Sequence, residues 1–241
     1  MKDAEIDAAL EHVARAAHPL PPTLLKSIVD AIGPTLAPVR PLPPDWVLAG
    51  GVLVLGVAVA LLGAARLGFG GFAALDLPAR VAVFGALAVL GGLVAARMVA
   101  EWIPGSRRRI TSATLLALVS VVLLAVFGLL FRDYRTDHFV SAGVGCLSTG
   151  VLYAVPAGFL GAWWLRRGWA VSPVSAGLVT GALGGLAGLT LLELQCANFQ
   201  AFHILVWHAL VVPVSAAAGG LLGWALQRQT LRPGGRDSRG N

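Results

Sequence analysis

Six apolar stretches dominate the chain, at roughly Trp46–Ala65, Ala79–Ala100, Ile110–Phe131, Gly145–Leu165, Val174–Gln195 and His203–Leu226. Each is near the ~20 residues that a helix needs to cross a ~30 Å hydrocarbon core. Lipid offers the backbone no hydrogen bonds, so runs of this length must close their own as helices. The pattern predicts an all-α, polytopic membrane protein with a six-helix transmembrane bundle over 46–226. A short cytoplasmic N-terminal helical arm at 1–45 precedes it, and a basic disordered tail at 227–241 follows. Pro156 and Pro213 fall inside the fourth and sixth spans and are expected to kink them.

Composition excludes the main alternatives. Only 12% of residues are charged and 57% are hydrophobic, whereas a soluble domain is about one-quarter charged. The chain is also too apolar for a disordered protein. Its net charge of +6 raises the question of nucleic acid, but the arginines flank apolar runs instead of forming a polar face. Anionic lipid headgroups are the matching counter-charge, and no direct nucleic-acid binding is expected. The first 45 residues hold no apolar core of signal-peptide length.

Basic residues set the expected orientation. Of eighteen lysines and arginines, only Arg66, Arg80, Arg132 and Arg135 fall on one side of the spans. The rest gather in the N-terminal segment, the second and fourth connections and the tail, which predicts cytoplasmic termini. Small residues recur at spacings of four: Gly150, Ala154, Gly158 and Ala162 in the fourth span, Gly177, Gly181 and Gly185 in the fifth, Gly219 and Gly223 in the sixth. Such stripes let backbones approach, which is how helices associate in lipid.

The N-terminal segment carries two amphipathic patterns. Ile6, Ala9, Leu10 and Val13 share one face of a helix over Asp3–Ala17, and a second helix is expected at Pro22–Ile32, with Leu25, Ile28 and Ile32 aligned and Gly33 as its stop. Pro34, Pro38, Pro41, Pro43 and Pro44 then enforce an extended linker. These faces either enter a partner's groove or lie on the membrane surface.

The chemically active residues cluster near one membrane surface. Cys146, Glu193, Cys196, His203 and His208 sit at the ends of the last three spans, with Asp137 and His138 in the preceding loop. Ionisable groups at membrane depth are costly and point to function. Cys146 heads the stripe of the fourth span, and Cys196 lies about three turns beyond Gly185, so mutual packing of the stripes brings both thiols inward. Three readings remain: a disulfide or thiol sensor, a transient soft-metal site with the histidines as ligands, or two inert core cysteines. Glu193 and His138 are candidate metal or supporting residues. The metal reading faces a geometric obstacle, since His203 and His208 lie about 140° apart on a straight helix. With no CxxC, HExxH or phosphate loop, no resident cofactor and no enzymatic activity are expected. A small transporter or structural inner-membrane protein is the alternative class.

The run Cys196-Ala-Asn-Phe-Gln-Ala-Phe-His203-Ile-Leu-Val-Trp207-His208 resembles the hallmark of the negative-regulator-of-sigma-F family of bacterial membrane anti-sigma factors. Cys146 at the head of the fourth span and the Pro-Val-Arg-Pro-Leu-Pro stretch at 38–43 extend the likeness. Alanine follows Cys196 where many relatives carry proline. The resemblance implies an inner-membrane sensor that holds an extracytoplasmic-function sigma factor away from RNA polymerase. On that reading Cys146 and Cys196 sense an oxidant or soft metal, and Ile6, Leu10, Val13, Leu25 and Ile28 hold the partner, with Arg107–Arg109 assisting.

Overall fold

The computed structural model describes residues 11, 21–32, 42–103, 110–165, 170 and 172–231. By its internal contacts the chain divides into two compact units, Met1–Leu42 and Pro43–Asn241. In the first, α1 runs over Pro22–Ile32, with proline in its first turn, where the missing N–H costs nothing. Leu24, Leu25, Ile28 and Val29 on this helix are exposed.

Among the described residues of the second unit, all the regular elements are helices. They are α2 (Asp45–Leu67), α3 (Gly70–Ala74), α4 (Leu77–Trp102), α5 (Ser112–Leu130), α6 (Phe139–Trp164), α7 (Pro173–Gln195), a π-helical segment (His203–His208) and α8 (Val211–Leu231). Among the described residues, six helical stretches are long and apolar enough to cross a membrane, the last running from the π segment into α8. Side-chain caps start several of them: Asp76 accepts from the Ala79 N–H, Thr111 from Thr114 and Ser172 from Ser175. Each satisfies a backbone donor that the first helical turn leaves unpaired. The last helix continues to Leu231, past the expected start of the tail at 227. The short α3 carries no periodic apolar signal and was not expected.

Helix α7 is the axis of the bundle. Of its apolar stretch 61% is buried, against 39% or less in the other five spans. Leu183, Leu186, Leu189 and Val179 join Val83, Leu90, Val94, Met98, Leu115, Leu123 and Phe127 in the main core. The small-residue stripes pack, but not in the expected pairing. The Gly177–Gly181–Gly185 face meets α8, where added Cβ atoms would strike the backbone of Gly219, Ser215 and Val212. The α6 stripe instead meets a second α7 face, with Gly188 against Gly150 and Gly184 against Ala154. Helix α7 therefore presents small residues to two neighbours, a consequence of glycines at adjacent positions 184 and 185.

Pro156 lies inside α6. Pro213 lies in the first turn of α8, so its absent N–H breaks no helical bond there. The Ala209 carbonyl that a residue 213 amide would serve accepts from Val212 instead, at 3.4 Å.

Candidate functional site

Three elements bring four thiol and imidazole side chains to one end of the bundle. Cys146 lies near the start of α6. Cys196 follows α7 with extended dihedrals, φ −84° and ψ 115°, so it reaches the site by leaving the helix, and the expected continuation of the Gly185 face does not apply. His203 and His208 open and close the π-helical segment. One ligand atom from each of the four lies within 4.8 Å of all the others. The two free thiols are half-buried with their sulfurs 3.7 Å apart, and Cys196 Sγ lies 3.7 Å from His203 Nε2.

The π-helical segment removes the obstacle that the sequence posed. Its Ala209 N–H bonds to the Ile204 carbonyl at 3.1 Å, an i to i+5 bond that widens the turn to about 4.4 residues. Five residues then span little more than one turn, and the two imidazoles fall on the same side. Their ring centroids are 5.1 Å apart in an edge-on arrangement. The expectation that these histidines diverge is corrected by this single wide turn.

Glu193 is not among the four close ligand atoms. Buried on α7, it lies 2.7 Å from His208 Nδ1 through Oε1. A carboxylate on one imidazole nitrogen fixes the tautomer and orients the other nitrogen for a ligand. That other nitrogen, His208 Nε2, is buried without a hydrogen-bond partner among the described residues, as is His203 Nδ1. His138 stands apart, exposed at the start of α6 with φ 55°. Eight residues before Cys146, it is about 12 Å further along the axis, so it is no part of the cluster.

The connections around the cluster are tied together. The Ala201 N–H donates to the Asp133 carbonyl at 2.6 Å, and Phe131 stacks on Phe199 at 5.6 Å. The Arg135 guanidinium forks onto Asp133 and holds its carboxyl below the usual carboxylate range. Helix α3 closes another side: a Cβ at Gly71 would collide with the backbone of Glu193 and Cys196. Gly143 leaves the space that the Trp207 indole fills.

At the opposite end of the spans lies a polar cluster that the sequence did not single out. Glu101, fully buried on α4, pairs with Arg97 one turn earlier. It also accepts from Ser112 Oγ at 3.0 Å and from Ser175 Oγ at 2.6 Å. An acid four residues after an arginine at the edge of an apolar run was the available signal.

Of the other expected partner-binding residues, Leu25 and Ile28 lie exposed on α1. Ile6, Leu10 and Val13 lie outside the described residues, as do Arg107–Arg109.

Fold and site together define a polytopic α-helical membrane protein with a buried thiol–imidazole cluster at one end of its spans. A family model described as negative regulator of sigma F matches residues 34–228. The chain belongs to that family, whose name implies a negative regulator acting on a sigma factor. The match begins after α1 and includes the first five spans, nearly all of the sixth and the whole cluster. No curated protein and no solved structure matches the chain.

Proposed function

We propose that this chain is a membrane-bound anti-sigma factor that holds an extracytoplasmic-function sigma factor at the bacterial inner membrane and releases it on an envelope signal. Both termini face the cytoplasm, and the cysteine cluster faces the oxidising compartment outside. The chain acts as a regulator, not an enzyme. The exposed Leu25 and Ile28 face of α1, with Ile6, Leu10 and Val13, supplies the partner surface, and Arg107–Arg109 assist.

The observation that carries the sensing reading is the spacing of the four ligand atoms. Tetrahedral zinc with Zn–S near 2.3 Å and Zn–N near 2.05 Å places two sulfurs about 3.8 Å apart and sulfur and nitrogen about 3.6 Å apart. The thiols and the Cys196–His203 pair already stand at 3.7 Å. Two thiolates and two imidazoles suit a soft or borderline cation such as Zn2+ or Cu+. The sulfur separation also favours a second reading, closure to a disulfide at about 2.05 Å. That step gives up two electrons and two protons to a hydroperoxide, which leaves as an alcohol and water.

Two experiments test the assignment. Capture of the full-length protein from its own cell extract should recover a sigma factor. Leu25→Asp and Ile28→Asp should weaken that capture at least about 30-fold, the loss of a roughly 2 kcal/mol anchor, without removing the protein from the membrane. Recovery of no sigma factor would favour the transporter or structural alternative. For topology, reporters active only in the cytoplasm should work when fused after Arg228, and export-dependent ones near Asp76 and Asp133. A C-terminal fusion active only outside the cell would overturn the orientation.

A further inference from the structure

The Arg97–Glu101–Ser112–Ser175 cluster joins three helices at the end of the bundle remote from the cysteines. Glu101 ends α4, while Ser112 and Ser175 lie in the first turns of α5 and α7. The carboxylate thus meets the positive ends of two helix dipoles as well as the Arg97 guanidinium. The two serine hydroxyls are 2.6 Å apart, so the three helices share one connected network. Trp102 Nε1 adds a bond from α4 to Thr180 on α7 at 3.3 Å.

Helix α7 connects this cluster to the thiol–imidazole site. Ser175 and Cys196 are separated by 21 residues, or about 30 Å of helix. Between them α7 has backbone contacts with α8 at Gly177, Gly181 and Gly185 and with α6 at Gly184 and Gly188. Backbone against backbone leaves few side chains to absorb a shift, so a displacement at one end of α7 would be carried along the helix. The polar cluster would resist such a displacement until it rearranged. A buried carboxylate that loses a hydroxyl donor without replacement costs about 1–3 kcal/mol, so the network is stable complete or rearranged, but not stretched.

We propose that the Arg97–Glu101–Ser112–Ser175 cluster is a conformational latch, through which the position of α7 at Cys196 is coupled to α4 and α5. The connection between α4 and α5 carries Arg107, Arg108 and Arg109 in sequence, so the latch couples the cysteine end to a basic segment at the other end. Its regulatory purpose rests on the anti-sigma reading, but the coupling itself does not.

If the latch and the thiol site are coupled, releasing the latch shifts the equilibrium exposure of the remote thiol, and the labelling rate reads that exposure. The test uses the full chain in nanodiscs and measures the rate at which maleimide labels Cys196, followed by peptide mass spectrometry. No sigma factor or metal is needed, so failure of the proposed function and failure of the latch give different results. Ser175→Ala and Glu101→Gln should speed labelling of Cys196 at least about fivefold, the lower end of typical coupling. If Glu101→Gln does not accumulate, Ser175→Ala and Ser112→Ala carry the comparison. Leu115→Ala serves as the control, because it opens the core beside Ser112 while leaving all four polar groups in place. It should change labelling by less than twofold. Rates within twofold of the parent in the latch variants would overturn the proposal. An equal acceleration in Leu115→Ala would overturn it too, because general loosening would then explain the effect.

Discussion

Serine at either Cys146 or Cys196 is expected to abolish the response to soft metal or hydroperoxide while leaving membrane insertion and repression intact. The substitution roughly keeps the side chain's size but replaces a soft sulfur ligand with a hard hydroxyl. Losing an outer carboxylate partner typically weakens a metal site by about 10–100-fold, and losing a ligand should exceed that range. Zn2+ binding to the purified protein, and the tetrahedral absorption bands of Co2+ as a stand-in, measure it directly. Glu193→Gln, which disturbs only the partner of His208, should fall inside the range. The double cysteine variant should be no worse than either single one, since both thiols serve one site. Full metal affinity and full response in both single variants would defeat the sensing reading.

Leucine at Gly181 should prevent the bundle from assembling. A Cβ there would meet the Ser215 carbonyl and the Ala216 Cα on α8, backbone atoms that cannot move aside as a side chain end would. Separating the two helices forfeits the whole glycine-lined contact, at a cost of at least about 3 kcal/mol, the upper end for an overpacked core. Gly85→Leu is the matched comparison, because an added Cβ at that position meets nothing within 4 Å. Leucine there gains about 0.8 kcal/mol of helix propensity, so its effect should be neutral or favourable. Size-exclusion profiles in mild detergent and thermal aggregation curves should separate the two variants clearly. Equal behaviour would mean that the α7–α8 contact is not what holds the spans together.

The main features of the fold were legible because each follows from local chemistry. Runs such as Ser112–Leu130 can only be helices in lipid, and proline at 22 with glycine at 33 brackets α1. The candidate ligands were legible for the same reason, since thiols, imidazoles and acids are conspicuous against an apolar background. Other features depended on neighbours. A spacing of four in α7 reveals a face suited to close approach, yet Gly184 and Gly185 lie on adjacent faces, and only the assembled bundle assigns one to α6 and the other to α8. The network around Glu101 is not legible in the sequence, because its partners Ser112 and Ser175 lie 11 and 74 residues away.

By itself, then, the sequence determined six spans, the family, and the residues with the chemistry to bind or react, because apolar length and side-chain type act locally. The tertiary structure decided whether those residues meet. His203 and His208 diverge on a regular helix and converge on a π turn. Cys196 reaches Cys146 only because the chain leaves α7 at Gln195 and is held there by α3 and by the pairing of Asp133 with Gln200. A ligand site is a matter of a few ångströms, and that precision comes from contacts between distant segments, which no local pattern specifies.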